Sequence, residues 1–333
     1  MAFKPPRRTP GIIAIPPLQS TPPPRGSSPK NMDDFKTTNA EKKAFMQAQR
    51  NRMRRELILE PAASGPEPIT LVPLAGVSYD SQTTAGIFAE NDINGWFMNA
   101  AGTMLYAIAN GSTICYAHPL STAYDLTTCN TTPDHQSAVS IVAAGENPKQ
   151  FHISPDGDFA TVSRQTTGGV AQWPITGGDI SGITTANIAE TVALAGCSGV
   201  SFSSTGFYML LCTNANKVQF YLLSTAFDIS TASLSGTQGT IDNMNTAGGI
   251  VMSDDGDRCY VVDQAANFDD INEYTFSTPY DASTISTRAA VLATNTAETY
   301  QSSINTPPGR SEIYVGYHGG VGVDDCIVEK YVW

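Results

Sequence analysis

Seven aspartates in this 333-residue chain stand where carboxylate chemistry could begin: Asp92 and the pairs Asp254-Asp255, Asp269-Asp270 and Asp324-Asp325. Two carboxylates roughly 5–9.5 Å apart across a sugar are the working parts of a glycoside hydrolase. Turn chemistry also demands Asp near Gly, because its short side chain bonds backbone amides two residues on, and these aspartates read first as turn residues. His118, His135, His152 and His318 show no ligand spacing. "SDDGDR" opens like a calcium loop, but no Glu stands twelfth from Asp254 or Asp255. "NGS" at 110–112 and "NTT" at 130–132 match the glycosylation pattern only in letters. The expectation is a chain with no catalytic residue, no metal and no cofactor, and not an enzyme.

The elements that would position such residues recur. A short strand and turn appear as "FMNAAG", "HISPDG", "SFSSTG", "VMSDDG" and, with one extra residue, "INTPPGR". The turn glycines Gly102, Gly157, Gly206, Gly256 and Gly309 are 55, 49, 50 and 53 residues apart. A β-rich strand follows each glycine and then a third strand; in four units a polar turn comes next, as in "STAYD", "GGD", "STAFD" and "STPYD". Asp125, Asp179, Asp228 and Asp281 occupy matching places there, which marks them as side-chain caps of a repeated turn. "AVSIVAA", "AETVALA", "TIDNMNT" and "AAVLATN" read as fourth strands.

Four strands in about 50 residues is the period of a propeller blade. The predicted fold is all-β, a five-bladed β-propeller over 84–333. Its last blade lacks a fourth strand, and "TAGIFAEN" (84–91) is expected to supply it by pairing with the C-terminal strand. "ITLVPLAGVSYDSQTT" (69–84) fits poorly, because it repeats the pattern of "ICYAHPLSTAYDLTTC" (114–129). It reads as an extra edge strand, a link to a neighbour or the remnant of a blade, within a linker at 61–83.

Composition agrees with β-structure: charged residues are 15% of the chain, too few for long exposed helices. The net charge of -12 conceals a division, since residues 1–60 hold 12 of the 19 Lys+Arg and 5 of the 31 Asp+Glu. A basic arm is tethered to an acidic body, and such a body repels nucleic acid and anionic membranes. The six cysteines are scattered without C-x-x-C pairs, as in a reducing cytoplasm. No signal h-region or membrane-length apolar run is present.

Within the arm, residues 1–37 are Pro-rich and expected to be extended, with Ile12, Ile13 and Ile15 forming a small apolar patch. Thr38-Asn39-Ala40-Glu41 fits the S/T-x-x-E capping box, and a helix is predicted over 38–60. Phe45, Met46, Met53 and Leu57 give it two narrow apolar edges, with Arg50, Arg54 and Arg55 among its cations. Such a helix suits wedging between neighbours, or packing on its own domain. Its cations share no face and no aromatic platform accompanies them, so nucleic acid is not the expected partner.

"SPDGDFATV", "QFYLLSTAFDISTAS" and "NEYTFSTPYDASTIS" resemble the SPDG and LSTA(W/Y/F)D repeats of β-propeller virion proteins in tailed bacteriophages. The resemblance covers residues 96–333. It implies a structural component of a phage particle, folded in the host cytoplasm and anchored to tail, portal or capsid proteins through residues 1–60. Capsid decoration or a head fibre is the alternative location. A glycan- or receptor-binding propeller is another reading, with Trp96, Tyr124, Phe227 and Tyr280 as stacking candidates, and a propeller glycoside hydrolase is the third.

Overall fold

The computed structural model describes residues 68–84, 93–137, 140–142, 146–166, 168–188, 190–264, 270–294, 300–318 and 327–333. The chain divides between Ala63 and Ser64, and every described residue belongs to the second unit. The predicted extended arm, the predicted helix at 38–60 and the docking candidates Ile12, Ile13, Ile15, Phe45, Met46, Arg50, Met53, Arg54, Arg55 and Leu57 lie outside the described residues.

Short β-rich runs punctuated by turn glycines build five antiparallel sheets, the blades of a five-bladed β-propeller. The first blade is Ile93–Met98, Met104–Ala109, Cys115–Pro119 and His135–Gln136. The second is Pro148–Ile153, Phe159–Arg164, Gly169–Pro174 and Glu190–Val192. In the third, Cys197–Phe202, Tyr208–Thr213 and Lys217–Leu223 are followed by two short pieces, Ala232–Leu234 and Gly239–Thr240, both paired to Lys217–Leu223. Ala247–Met252, Arg258–Asp263, Asp270–Thr275 and Ala290–Ala293 form the fourth. Tyr300–Asn305, Glu312–His318 and Ile327–Val332 are three strands of the fifth.

Ser78–Thr83 supplies the missing strand of the fifth blade, pairing Ser78 with Val332, Tyr79 with Tyr331 and Thr83 with Glu329. The ring is therefore closed by both ends of the propeller, but by a strand earlier than the expected 84–91. Within that expected segment only Thr84 is described, and it extends the pairing by bonding Val328 through its backbone amide (3.2 Å) and its hydroxyl (2.8 Å). The reason lies in packing: Val77 is buried, the Tyr79 and Tyr331 rings stand 5.7 Å apart, and Gln82 accepts from Leu126 of the first blade. Asp80, which the sequence likeness aligns with Asp125, instead pairs with Lys330 at 3.3 Å. The linker boundary at 83 accordingly moves into the propeller.

Two fourth strands lie where expected, Glu190–Val192 within "AETVALA" and Ala290–Ala293 within "AAVLATN", and the other two differ. In the first blade the outer strand is His135–Gln136, ahead of the expected "AVSIVAA", whose described residues 140–142 form no strand, and in the third it precedes most of "TIDNMNT". Polar outer strands carry no strong apolar alternation, and position there follows the turn cap rather than burial.

Between blades the sheets bury large side chains, including Trp173, Phe151, Tyr260 and Phe220. Each such burial stabilises by about 1.5–3 kcal/mol. Of the cysteines, Cys115, Cys197, Cys212 and Cys259 are buried free thiols and Cys129 is half-buried and free. Burial raises their pKa values, to about 12 for Cys129 and Cys212. Among the described residues, no helix is long and apolar enough to cross a membrane.

Candidate functional site

The repeated turns explain the repeated letters. Asp125, Asp228 and Asp281 cap three-residue 3-10 helices, accepting from the backbone amides of Thr127 (3.0 Å), Ser230 (3.0 Å) and Ser283 (3.1 Å). Asp179 accepts likewise from Ser181 at 2.8 Å, and this bond leads the causes that lower its pKa. The residue before each helix-capping Asp has positive φ: Tyr124 at 63°, Phe227 at 59° and Tyr280 at 58°. That strain is held by a contact in the same blade. Each of these three residues donates its backbone N–H to the turn glycine, Gly102, Gly206 or Gly256, and lays its ring over that glycine. A Cβ on any of the three would stand 2.4 Å from the ring. In the second blade Gly178 takes the aromatic place, and the Tyr106 hydroxyl stands 2.5 Å from where its Cβ would be. Gly309 has the same left-handed φ but donates to Pro68 at 2.9 Å.

These turns also join blades. Gln172 donates to the Phe227 carbonyl (2.7 Å) and accepts from Ile229 (3.1 Å), while Tyr314 and Lys330 donate to the Tyr124 carbonyl at 3.2 and 3.3 Å. The stacking candidates are thus structural in position. Trp96 is 3% exposed, Phe227 is buried, Tyr280 stacks on Tyr208 with centroids 3.6 Å apart, and the Arg310 guanidinium covers the Tyr124 ring at 4.2 Å.

On the axis, the innermost strands approach very closely. Seven residues before each turn glycine stand Gly95, Gln150, Gly199, Gly249 and Ser302. A Cβ on Gly199 would come within 2.9 Å of Gln150 Oε1, and one on Gly249 within 2.6 Å of Ser303 Cα. Gln150 uses the space that these glycines leave. Its Nε2 donates to the carbonyls of Ile250 and Ile304, both at 2.9 Å, and its Oε1 accepts from Val200 and Ile250, both at 3.0 Å. One amide, fully satisfied, ties blades two to five and closes the channel.

Above Gln150, His152 lies between Phe97 and Phe202, each 4.7 Å away by centroid, with Phe227 at 6.0 Å. Burial pushes its pKa down to about 3, so the ring is neutral at physiological pH. The mouth retains a cavity of about 30 Å³, on the scale of a water molecule.

From Ile69 at this mouth, residues 68–77 run as a strap along the fourth and fifth blades. The Asp254 amide donates to the Ile69 carbonyl at 2.9 Å, the Asp254 carboxylate accepts from the amides of Ile69 (2.8 Å) and Ser204 (2.6 Å), and the Ser204 hydroxyl donates to it as well. Desolvation is the main cause that raises the Asp254 pKa. Leu74 donates to Glu273 at 2.8 Å, and the Tyr260 hydroxyl donates to the Val72 carbonyl. Of the carboxylates weighed for catalysis, Asp254 is therefore a clamp, Asp255 and Asp270 stand elsewhere in the fourth blade, and Asp92, Asp269, Asp324 and Asp325 lie outside the described residues. His118 bonds the Asn130 carbonyl at 2.8 Å and His135 lies 3.1 Å from Asp134, so the histidines are dispersed. Among the described residues, no three His, Cys, Asp or Glu side chains gather as metal ligands. Gln150 and the strap escaped sequence reasoning; the lone Gln among axial glycines was the available signal.

No family model matches the chain, and no curated protein matches it in sequence. Weak likenesses to solved structures are found. A luciferin-regenerating enzyme matches with TM-score 0.48 and 11% identity, over 77% of this chain and 95% of that one. A 6-phosphogluconolactonase-like protein of Bacteroides uniformis matches with TM-score 0.43 and 14% identity, over 64% and 60%. Another, from Bacteroides fragilis, gives TM-score 0.42 and 12% identity over 66% and 61%. Enzymes are thus named among its structural neighbours, which corrects the expectation that the chain is not an enzyme, and at these scores they assign it no activity. At such identities the likeness concerns the fold alone.

Proposed function

We propose that the chain is a structural component of a tailed-phage particle, in which residues 1–60 grip the tail or portal region and the acidic propeller is displayed. The observation that carries this reading is the strap. Residues 68–77 are pinned to the fourth and fifth blades by Asp254, Glu273, Tyr260 and Gly309 before entering the closing strand. The leading segment therefore starts from a fixed point at the channel mouth. Its charge, opposite to that of the body, supports separate partners for the two parts. The SPDG turn at 154–157 and the LSTA(F/Y)D turns at 120–125 and 223–228 support the virion class.

The test is incorporation. Particles are assembled with the full chain, with a chain lacking residues 1–60, and with full-length Arg50→Glu/Arg54→Glu/Arg55→Glu, and copy number is measured by mass spectrometry. The expected result is loss of the shortened chain and reduced occupancy of the charge-reversed one, each with an intact propeller. Full occupancy by the shortened chain defeats the proposal, and electron microscopy of labelled particles separates tail from capsid placement.

A further inference from the structure

We propose that Asn110 is a site of spontaneous modification, where the side-chain amide closes on the backbone nitrogen of Gly111 and the chain deamidates. A glycine after Asn leaves the attacking nitrogen without a neighbouring Cβ to shield it, so this ring closes most readily in Asn-Gly. The sequence holds four Asn-Gly or Asp-Gly pairs: Asn94-Gly95, Asn110-Gly111, Asp156-Gly157 and Asp255-Gly256. The fold leaves one of them open to the reaction.

Asn110 and Gly111 begin the loop between Met104–Ala109 and Cys115–Pro119. Asn110 is half-buried and Gly111 exposed, and a Cβ on Gly111 would meet nothing within 4 Å. Among the described residues, no group accepts a hydrogen bond from the Gly111 amide. The nucleophile is therefore unoccupied and has room to turn.

The other three pairs are held. Asn94 is 0% exposed and donates to Asn147 at 2.9 Å, and a Cβ on Gly95 would stand 2.5 Å from both Ile108 and the Lys149 carbonyl oxygen. Both residues lie in the strand Ile93–Met98, whose extended backbone fixes the dihedral that must rotate to bring the next nitrogen onto the side chain. In the two Asp-Gly pairs the glycine nitrogen is engaged: Gly157 donates to the Ser154 carbonyl at 2.8 Å and Gly256 to the Ser253 carbonyl at 3.0 Å.

In the open pair the Gly111 nitrogen bonds to the Asn110 side-chain carbonyl carbon. The bond from that carbon to the side-chain nitrogen breaks, and this nitrogen leaves as ammonia, taking the Gly111 amide proton. Water then opens the five-membered imide at either carbonyl, giving aspartate or, with the backbone rerouted through the side chain, isoaspartate. Water is the sole co-reactant, no electron is gained or lost, and the acidic body gains one negative charge. The extent of reaction records the age of the folded chain, wherever that chain is displayed.

The full chain is aged in mildly alkaline buffer at physiological temperature and sampled by peptide mapping with mass spectrometry, isoaspartate being scored by enzymatic methylation. Asn110 should react at least tenfold faster than Asn94, with isoaspartate as a major product and none at Asp156 or Asp255. Gly111→Ala, whose methyl group the open space accepts, should slow the reaction tenfold or more with an unchanged melting temperature. In the chain unfolded by urea the two Asn-Gly pairs should react at similar rates, because neither is held there. An Asn110 that reacts no faster than Asn94 in the folded chain, a rate that Gly111→Ala leaves unchanged, or an Asn94 that stays slow in urea overturns the inference.

Discussion

Replacing Gln150 tests whether the axis is held by one amide. Gln150→Leu keeps roughly the same volume but deprives the Val200 and Ile250 N–H groups and the Ile250 and Ile304 carbonyls of this partner. Each buried group left unsatisfied costs about 1–3 kcal/mol, so four suggest at least ~4 kcal/mol before relaxation. Gln150→Ala loses the same bonds but leaves a space in which water can bond those groups, and its cost should be nearer ~2 kcal/mol. The larger apolar residue should thus be the worse replacement, the reverse of ordinary core behaviour. Urea unfolding with linear extrapolation measures both, with calorimetry checking two-state behaviour. If leucine proves equal to or better than alanine, or if both stay within about 1 kcal/mol of the parent, the four bonds do not hold the axis.

Other perturbations follow the same geometry. Gly206→Ala combines positive φ with a Cβ 2.4 Å from the Phe227 ring; it should cost about 2–4 kcal/mol from backbone strain and overpacking, read as a lower urea midpoint. Asp228→Ala removes a cap and should cost about 1 kcal/mol by the same assay, with Asp228→Asn recovering most of it. Although burial alone would raise the Glu312 pKa, hydrogen bonds from Arg310, Lys330 and Tyr314 hold it below the ordinary glutamate value. A lowered folded pKa contributes stability above the unfolded pKa of about 4.3 and loses it as pH falls through the folded value. Below pH ~4.3 the parent should therefore lose stability more steeply than Glu312→Gln, as measured by melting temperature against pH.

The blade period was readable because turn geometry is local. A left-handed glycine such as Gly206, an aromatic such as Phe227 and a capping aspartate such as Asp228 each need a particular residue type; the glycine returns in all five blades, the aspartate in four and the aromatic in three. Second strands such as Met104–Ala109 and Tyr208–Thr213 were readable for a similar reason, since burial on both faces imposes apolar runs. Outer strands were not, because His135–Gln136 or Ala232–Leu234 gains little from burial and leaves a faint pattern. Ring closure was legible as a necessity but not in register: Ser78–Thr83 wins through Tyr79 on Tyr331 and Gln82 on Leu126, contacts spanning the whole chain. The aspartates raised as catalytic candidates illustrate the limit for sites. Asp254 looks like any turn residue in sequence, and its clamping role depends on Ile69 and Ser204 arriving from elsewhere.

Strap and closing strand form one continuous stretch, so they bear any pull on the leading segment in series. Tension entering at Pro68 meets the bonds at Gly309, Asp254, Tyr260 and Glu273 before it reaches the seam between Ser78–Thr83 and Ile327–Val332. The strap's attachments can yield one after another and lengthen the tether while the circle of blades stays shut, a sacrificial fuse ahead of the joint that must not open.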